Sequence, residues 1–232
     1  MHILIFVVIG LFIGVAVYFS HLQAKQRRAD LAELAQQIGW RFDPQSDYDH
    51  DSRFSQFSVF CSGHSRQAYN TLHGSLTLGG RQVHAQMGDF LYKQTSGSGK
   101  DRKTRTYTLS YLVAGSPLPS APDLLIRPEG FFDGVSALFG FDDIDFESAE
   151  FSRKFHVTSS DKRYAYAVVH PQMMEFLQES RGPTVAVARG YCCLYEGHKV
   201  WKPDEFSARV AWVERFFGLW PGHVTDQYSR LT

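Results

Sequence analysis

One uninterrupted apolar segment near the N-terminus constrains this chain more than any other feature. Residues 3–19 read ILIFVVIGLFIGVAVYF and contain no charged residue, no amide and no proline. As a helix, this segment would extend about 26 Å, close to the lower limit for crossing the hydrocarbon core of a bilayer. The pattern predicts a single transmembrane anchor over residues 1–20, with the lipid bilayer as the partner of residues 3–19. The rest of the chain would then be tethered to the membrane.

A cleaved secretory signal is the main alternative for this segment. Such signals begin with a basic region and end at a small-x-small cleavage site. Here neither residue before the apolar run is Lys or Arg, and the run ends in Tyr18 and Phe19, which are typical of a membrane interface. Gly10 and Gly14 have the spacing that lets two such helices pack as a homodimer. This short motif is frequent, and we favour simple contact with lipid.

Basic residues flank the apolar segment on one side only. Lys25, Arg27 and Arg28 follow it, and no basic residue precedes it. The positive-inside rule therefore predicts a single-pass protein with its N-terminus outside and its main domain in the cytoplasm.

Cysteine usage and net charge narrow the class of protein. The three cysteines are an odd number, and Cys192 and Cys193 are adjacent, so that a bridge between them would need unusual geometry. Free thiols fit a reducing compartment. Lys plus Arg and Asp plus Glu each number 24, so no net charge draws the chain toward nucleic acid, and we predict no nucleic-acid partner.

The remaining sequence mixes strand and helix patterns and predicts an α+β fold. A helix over residues 21–39 carries one apolar stripe and ends near Gly39. A strand over residues 40–42 and a β-meander come next, then a short helix over Phe131–Phe139 and an acidic stretch. A β-α-α-β-β-α pattern follows. The predicted organisation is a transmembrane anchor (1–20), a juxtamembrane helix (21–39), an antiparallel sheet lobe (40–140), an α+β lobe (150–221) and a frayed tail (222–232).

The meander has a clear turn signal. Gly79-Gly80 separates two alternating segments, and a two-residue turn there pairs Leu78 with Arg81 and Ser75 with His84. The alternation then places one apolar set on a single buried face. This set comprises Leu72, Leu76, Leu78, Val83, Ala85 and Met87.

Helix-capping residues and turn residues predict the helices and strands of the second lobe. Residues 151–158 have a strand pattern, and helices are predicted over 162–169 and 171–179. Arg189-Gly190 marks a hairpin. Pro203 opens the last helix, with acidic residues in its first turn.

The loop over residues 95–104, TSGSGKDRKT, contains a fragment of a phosphate-binding motif. A P-loop requires glycine where Gln94 stands and Ser or Thr where Asp101 stands. The strand pattern that follows offers no helix N-terminus to a phosphate, and we interpret the segment as a hairpin loop.

The basic residues of this loop suggest one binding role. Each Lys or Arg close to an anionic leaflet contributes roughly 1 kcal/mol. The alternative is a solvated loop tip, which is what most charge runs are. The candidate residues for contact with an anionic surface are Lys100, Arg102, Lys103 and Arg105.

Patterns for metal binding and catalysis are incomplete. His73 and His84 are predicted on one face of the sheet, but zinc needs three or four ligands. The acidic stretch around Asp143 and Asp145 lacks the glycine and distal glutamate of an EF-hand in register. We therefore predict no metal and no cofactor.

Nucleophile signatures are also incomplete. The sequence Gly63-His64-Ser65-Arg66 lacks the G-x-S-x-G elbow. Cys61 and Cys192 have no nearby histidine in a known pattern, and a cysteine within a strand is usually a small buried apolar residue. These patterns identify no catalytic residue, and a site assembled from distant residues stays open.

Several short segments resemble a group of uncharacterised bacterial membrane-anchored proteins. The resemblance covers most of the chain after the anchor and implies a shared fold and a bacterial source, which would make the membrane the inner one. It implies no activity and supplies no site residue. The segments are Gly63–Arg66, Asn70–Leu72, Gly80–Val83, Asp89–Tyr92, Thr95–Lys100, Arg127–Gly130, Ala137–Gly140, Asp143–Phe146 and Glu150–Phe155.

These observations favour a membrane-tethered cytoplasmic binding or scaffold module whose ligand or partner is unknown. The alternative is a membrane-anchored enzyme with an active site assembled from distant residues. A ligand-sized pocket with a strongly perturbed titratable group would favour the enzyme. An exposed apolar surface would favour the binding module.

Overall fold

One helix, α1, covers both the predicted anchor (1–20) and most of the predicted juxtamembrane helix (21–39). The computed structural model describes residues 2–130, 143–180 and 182–229, with the helical backbone alone for residues 2–10 and 13. Helix α1 runs over His2–Gln37 without a break, and Gly39 follows it with φ of +71°. Among these described residues, no helix is long and apolar enough to cross a membrane. The predicted transmembrane helix is thus unsupported, although the predicted helical conformation is present.

An antiparallel sheet forms the centre of the domain and confirms the α+β fold class. Its strand order is β1-β2-β3-β4-β8-β7-β5-β6, and every described pairing is antiparallel. The strands are β1 (Arg41–Asp43), β2 (His64–Leu78), β3 (Arg81–Ser96), β4 (Lys103–Gly115), β5 (Leu124–Pro128), β6 (Phe155–Ser159), β7 (Thr184–Ala188) and β8 (Tyr191–Tyr195).

The strands of the two predicted lobes belong to this one sheet. Strand β4, the last strand of the meander, pairs with β8, so that Tyr111 lies opposite Tyr195 and Gly115 opposite Tyr191. Sequence patterns that place strands in succession along the chain do not show which strands pair across a long connection. The two predicted lobes therefore share a continuous hydrogen-bonded ladder.

Six further helices lie among the described residues. Helix α3 occupies the first half of the strand predicted over 151–158, because Ser148 caps it by accepting a hydrogen bond from the Phe151 amide. Helix α7 replaces the predicted frayed tail and buries Val224 and Tyr228. The helix predicted at Phe131–Phe139 lies outside the described residues. The helices are α2 (His50–Arg53), α3 (Ala149–Lys154), α4 (Lys162–Val168), α5 (Pro171–Ser180), α6 (Pro203–Gly218) and α7 (Gly222–Ser229).

Apolar side chains fill both faces of the sheet. On one face, Met87 and Leu112 belong to a large cluster that includes residues of α1 and α4–α7. On the other face, Phe90 and Tyr111 belong to a smaller aromatic cluster under the segment that contains α2. The sheet is therefore covered on both sides near its centre.

The register of the β2–β3 hairpin confirms the prediction. Leu78 pairs with Arg81 and Ser75 with His84. Gly79 and Gly80 have φ values of +54° and +78°, the left-handed values that a tight two-residue turn requires. The predicted apolar set lies in the large cluster, with Val83 only partly buried.

Replacing both turn glycines with valine should destabilise the domain. An L-residue in the left-handed region costs roughly 1–2 kcal/mol, so the pair should lower the free energy of unfolding by about 2–4 kcal/mol. Chemical denaturation followed by circular dichroism measures this change. As a matched control, Gly79→Asn should be nearly neutral, because Asn tolerates this conformation and Asn-Gly favours the same turn. Unchanged stability of the valine variant would show that the turn has another geometry in solution.

Candidate functional site

The segment of α1 between Leu11 and Gln26 projects from the domain without packing against it. Every side chain described between Leu11 and Gln26 is exposed. Leu11, Phe12 and Val17 have exposed fractions of 68%, 74% and 64%, and Tyr18 and Phe19 have 62% and 57%. Exposed apolar surface of this kind is unfavourable in water. Proteins therefore normally cover large contiguous apolar patches.

Contact between α1 and the sheet begins at Arg27. Its guanidinium donates from Nε to Asp89 Oδ2 at 2.7 Å and from Nη2 to Asp89 Oδ1 at 2.5 Å. Asp89 is fully buried in the middle of β3, and 23% of the Arg27 side chain is exposed. Although burial alone lowers the pKa of Arg27, its hydrogen bond and charge interaction with Asp89 raise that pKa above its ordinary value. This bidentate pair fixes the position of α1 on the sheet.

Three further groups complete the network around the Asp89 carboxylate. Asn70 donates to Oδ2 at 3.1 Å, and the Ser110 hydroxyl donates to Oδ1 at 2.8 Å. The Trp201 amide donates to the Ser110 hydroxyl, and the Trp201 carbonyl accepts from Arg27 Nη1. The network therefore joins α1, β2, β3, β4 and the segment before α6. We call Arg27, Asn70, Asp89, Ser110 and Trp201 the clamp.

From sequence, Arg27 belongs only to the flanking positive charge, and Asp89 has no predicted role. The predicted alternation nevertheless contained a signal for it. Met87 belongs to the buried face, and Asp89, two residues later, must point to the same face. A carboxylate on a buried face requires a paired cation or several donors. The partner is 62 residues away in sequence and cannot be inferred from local spacing.

The other end of α1 is fixed by Trp40. Its ring lies over Gly74, where an added Cβ would come within 2.3 Å of the ring atoms. Gly74 pairs with Ala85 across the β2–β3 ladder. The helix is thus held near Ala85 at its C-terminal end and near Asp89 at Arg27.

The basic hairpin joins β3 and β4 and is shorter at its tip than predicted. Both strands extend to a Ser96–Lys103 pair, and Gly99–Asp101 form a single 3-10 turn. All four candidate basic residues are exposed. Within the described ranges, none of them takes part in an ion pair, whereas Arg53, Arg66 and Arg209 each contact a carboxylate. We call residues 96–105 the basic tip.

His73 and His84 share a face of the sheet, as predicted, and line a small groove of about 170 Å³ with Gln86. Burial lowers the pKa of His73. Across the described part of the chain, no group of three or more His, Cys, Asp or Glu side chains is placed to hold a metal ion. In the predicted acidic stretch, the Asp143 carboxylate lies 3.0 Å from Nδ1 of His156.

The described cysteines are free, as predicted, and do not form a reactive site. Cys192 and Cys193 are fully buried, and burial raises the pKa of both thiols, that of Cys192 to about 12. Burial likewise raises the pKa of Cys61. The nucleophilic form of cysteine is the thiolate, and a raised pKa keeps these side chains protonated. These environments therefore disfavour the three cysteines as nucleophiles.

A wider cleft of about 730 Å³ lies between α4, α5 and the residues before α3. Apolar Phe146 and Met174 line it together with polar groups. Two of these polar groups are already engaged, since the Tyr166 hydroxyl donates to the Asp145 carbonyl and His170 Nε2 bonds the Leu219 carbonyl. These contacts engage the Tyr166 hydroxyl proton and one of the two ring nitrogens of His170.

Comparisons with known proteins give a fold relationship without a family. No family model matches the chain, and no curated protein matches it. Among solved structures, the crystal structure of the mycobacterial trehalose monomycolate transport factor A, TtfA, superposes with a TM-score of 0.55 at 11% sequence identity. The match covers 84% of this chain and 93% of that chain. At this identity, the similarity establishes that the two proteins share an overall fold.

Proposed function

We propose that this protein is a membrane-tethered binding or scaffold module, held on the cytoplasmic face of a bacterial inner membrane by the apolar part of α1. The observation that carries the proposal is the exposed apolar surface between Leu11 and Leu22, which the domain itself does not cover. A bilayer would cover this surface, and Tyr18 and Phe19 have the character of interfacial residues. The proposal rests on composition and exposure.

The rigid attachment of α1 to the domain gives the module its scaffold character. A flexible linker would let the domain rotate freely beneath its anchor, whereas a continuous helix held by a bidentate ion pair restricts it. The fold shared with TtfA, whose described role is trehalose monomycolate transport, supports a lipid-related setting for such a module. The raised pKa values of the thiols do not favour cysteine catalysis as the chemistry of the alternative, an enzyme.

The tether can be tested by placing charge in the exposed apolar surface. Phe12→Lys with Val15→Lys should move the full-length protein from the membrane pellet to the soluble fraction, because each Lys costs roughly 3 kcal/mol at a helix centre in lipid. The matched control is Ser20→Lys with Gln23→Lys, which adds the same charge at exposed polar positions and should leave the protein in the pellet. Retention of the first variant in the pellet would contradict the tether.

The direction of insertion needs a separate measurement. A reporter that works only in the cytoplasm should be active when it is fused to the C-terminus. Reversing the charges at Lys25 and Arg28 should weaken the preference for this orientation. Both side chains are exposed and lie outside the clamp, so their reversal should leave the fold intact. Labelling of the C-terminus from outside the cell would overturn the proposed orientation.

A further inference from the structure

The exposed segment of α1, residues 11–26, and the basic tip leave the sheet at the same end. Following the chain from Trp40, just after α1, back to Arg27, its contacts move along the β2–β3 ladder from the level of Ala85 to Asp89. Continued in that direction, the helix runs toward Ser96, where β3 ends and the basic tip begins. The clamp therefore sets the relative placement of two features that are far apart in sequence.

The lengths of β3 and α1 allow the basic tip to reach the level at which α1 becomes apolar. From Asp89 to Ser96 an extended strand covers about 24 Å, whereas from Arg27 to Phe19 an α-helix rises about 12 Å. For any angle up to about 60° between the two axes, the strand projects onto at least 12 Å of the helix axis, so that the tip reaches at least the level of Phe19. At the upper end of this range, the four basic side chains lie beside the boundary between the polar and apolar parts of α1.

The charge of this end of the molecule is uncompensated. The basic tip carries four basic residues and one acidic residue, Asp101, all of them exposed. Lys25 and Arg28 are exposed on α1 between the clamp and the apolar segment. Among the residues that the structure describes, neither they nor the basic residues of the tip form an ion pair.

We propose that the basic tip binds the anionic phospholipid headgroups of the leaflet that α1 enters, so that the domain is held at two points. This inference rests on the proposed tether. The negative surface potential of a leaflet acts within about one Debye length, roughly 10 Å, and a tip level with Phe19 lies inside that distance. Two-point attachment would fix the rotation of the domain about α1 and present its other surfaces in one orientation.

The experiment uses the full chain in liposomes of phosphatidylcholine alone or with 30% phosphatidylglycerol, roughly the anionic fraction that gives a leaflet its surface potential. A polarity-sensitive fluorophore is attached at Ser98→Cys in a Cys61→Ser background, and spin-labelled headgroups act as quenchers. The basic tip has a net charge of about +3. The ratio of lipid-bound to unbound tip should therefore change by about 100-fold between the two lipid compositions. High salt should reverse the shift.

Two control variants separate the basic tip from general charge and from position. Replacing the four basic residues of the tip with Gln should abolish the shift. Replacing Arg41, Arg153, Lys162 and Arg163 with Gln removes the same charge from other exposed positions and should preserve it. A fluorophore at Gln82→Cys, exposed at the opposite end of β3, should not respond.

Flotation of the same liposomes reports on the tether independently. Protein that fails to float contradicts the proposed function as well as this inference. Protein that floats but shows equal quenching at Ser98→Cys in both lipid compositions retains the tether and overturns lipid binding by the tip. That second result would favour an acidic protein as the partner of the basic tip.

Discussion

Replacing Arg27 with Met should lower the free energy of unfolding by about 3–5 kcal/mol, the usual cost of removing one partner of a buried ion pair. The cause is Asp89, which is fully buried and would retain a charge without its bidentate partner. Asn70 and Ser110 would still donate to the carboxylate, but two neutral donors do not replace a cation. Urea denaturation of the full-length protein in detergent, followed by circular dichroism, measures the loss.

Two comparisons distinguish the clamp from general effects of changing α1. Arg28→Met alters the exposed neighbouring residue and should stay within about 0.5 kcal/mol of the parent protein. Asp89→Asn added to Arg27→Met should restore part of the stability, because it removes the uncompensated charge while keeping the side-chain shape. If Arg27→Met and Arg28→Met denature at the same urea concentration, the clamp does not stabilise the domain.

The sheet could be predicted where the information is local. The β2–β3 hairpin is an example, because alternation decides which face is buried and a glycine pair decides the turn. The same is true of the Arg189-Gly190 turn, where φ is +48° and +77°. In both hairpins, the residues that decide the structure are adjacent in the chain.

The parts that could not be predicted depend on distant partners or on very short elements. The pairing of β4 with β8 and the clamp both join residues separated by long stretches of chain. Helix α3 has only six residues, too few for a helical periodicity to stand out from a strand pattern. His50 is buried because α2 packs over the aromatic face of the sheet, a contact that no local sequence pattern indicates.

Acidification should destabilise the protein through His50, which is 1% exposed and surrounded by Phe54, Phe60, Phe90 and Tyr111. Burial lowers the pKa of His50 to about 3, and Arg53 and His73 act in the same direction against the opposing charge of Asp47. The neutral ring accepts a hydrogen bond from Gln86 at Nδ1, 3.3 Å away. Its Nε2 is buried and, within the described residues, has no hydrogen-bond partner for the remaining proton.

The sign of the pH dependence follows from these two pKa values. Because the folded-state pKa lies below the unfolded value of about 6.5, the contribution of His50 is fully present above pH 6.5 and is lost as the pH falls toward 3. At pH 5, the loss is about 2 kcal/mol, from 1.5 pH units at 1.36 kcal/mol each. Urea midpoints measured between pH 7 and pH 5, above the range in which most carboxylates titrate, separate this effect from carboxylate titration.

Two substitutions test whether His50 is the group responsible. His50→Phe keeps an aromatic ring in the cluster but cannot be protonated, so the loss of stability between pH 7 and pH 5 should largely disappear. Its stability at pH 7 should be about 1–3 kcal/mol lower, because Gln86 loses its acceptor. His84→Gln changes an exposed histidine on the same face of the sheet and should retain the parent's pH dependence. A steep loss that persists in His50→Phe would assign the acid sensitivity to another group. His73, which is half-buried and also has a lowered pKa, would be the next residue to test.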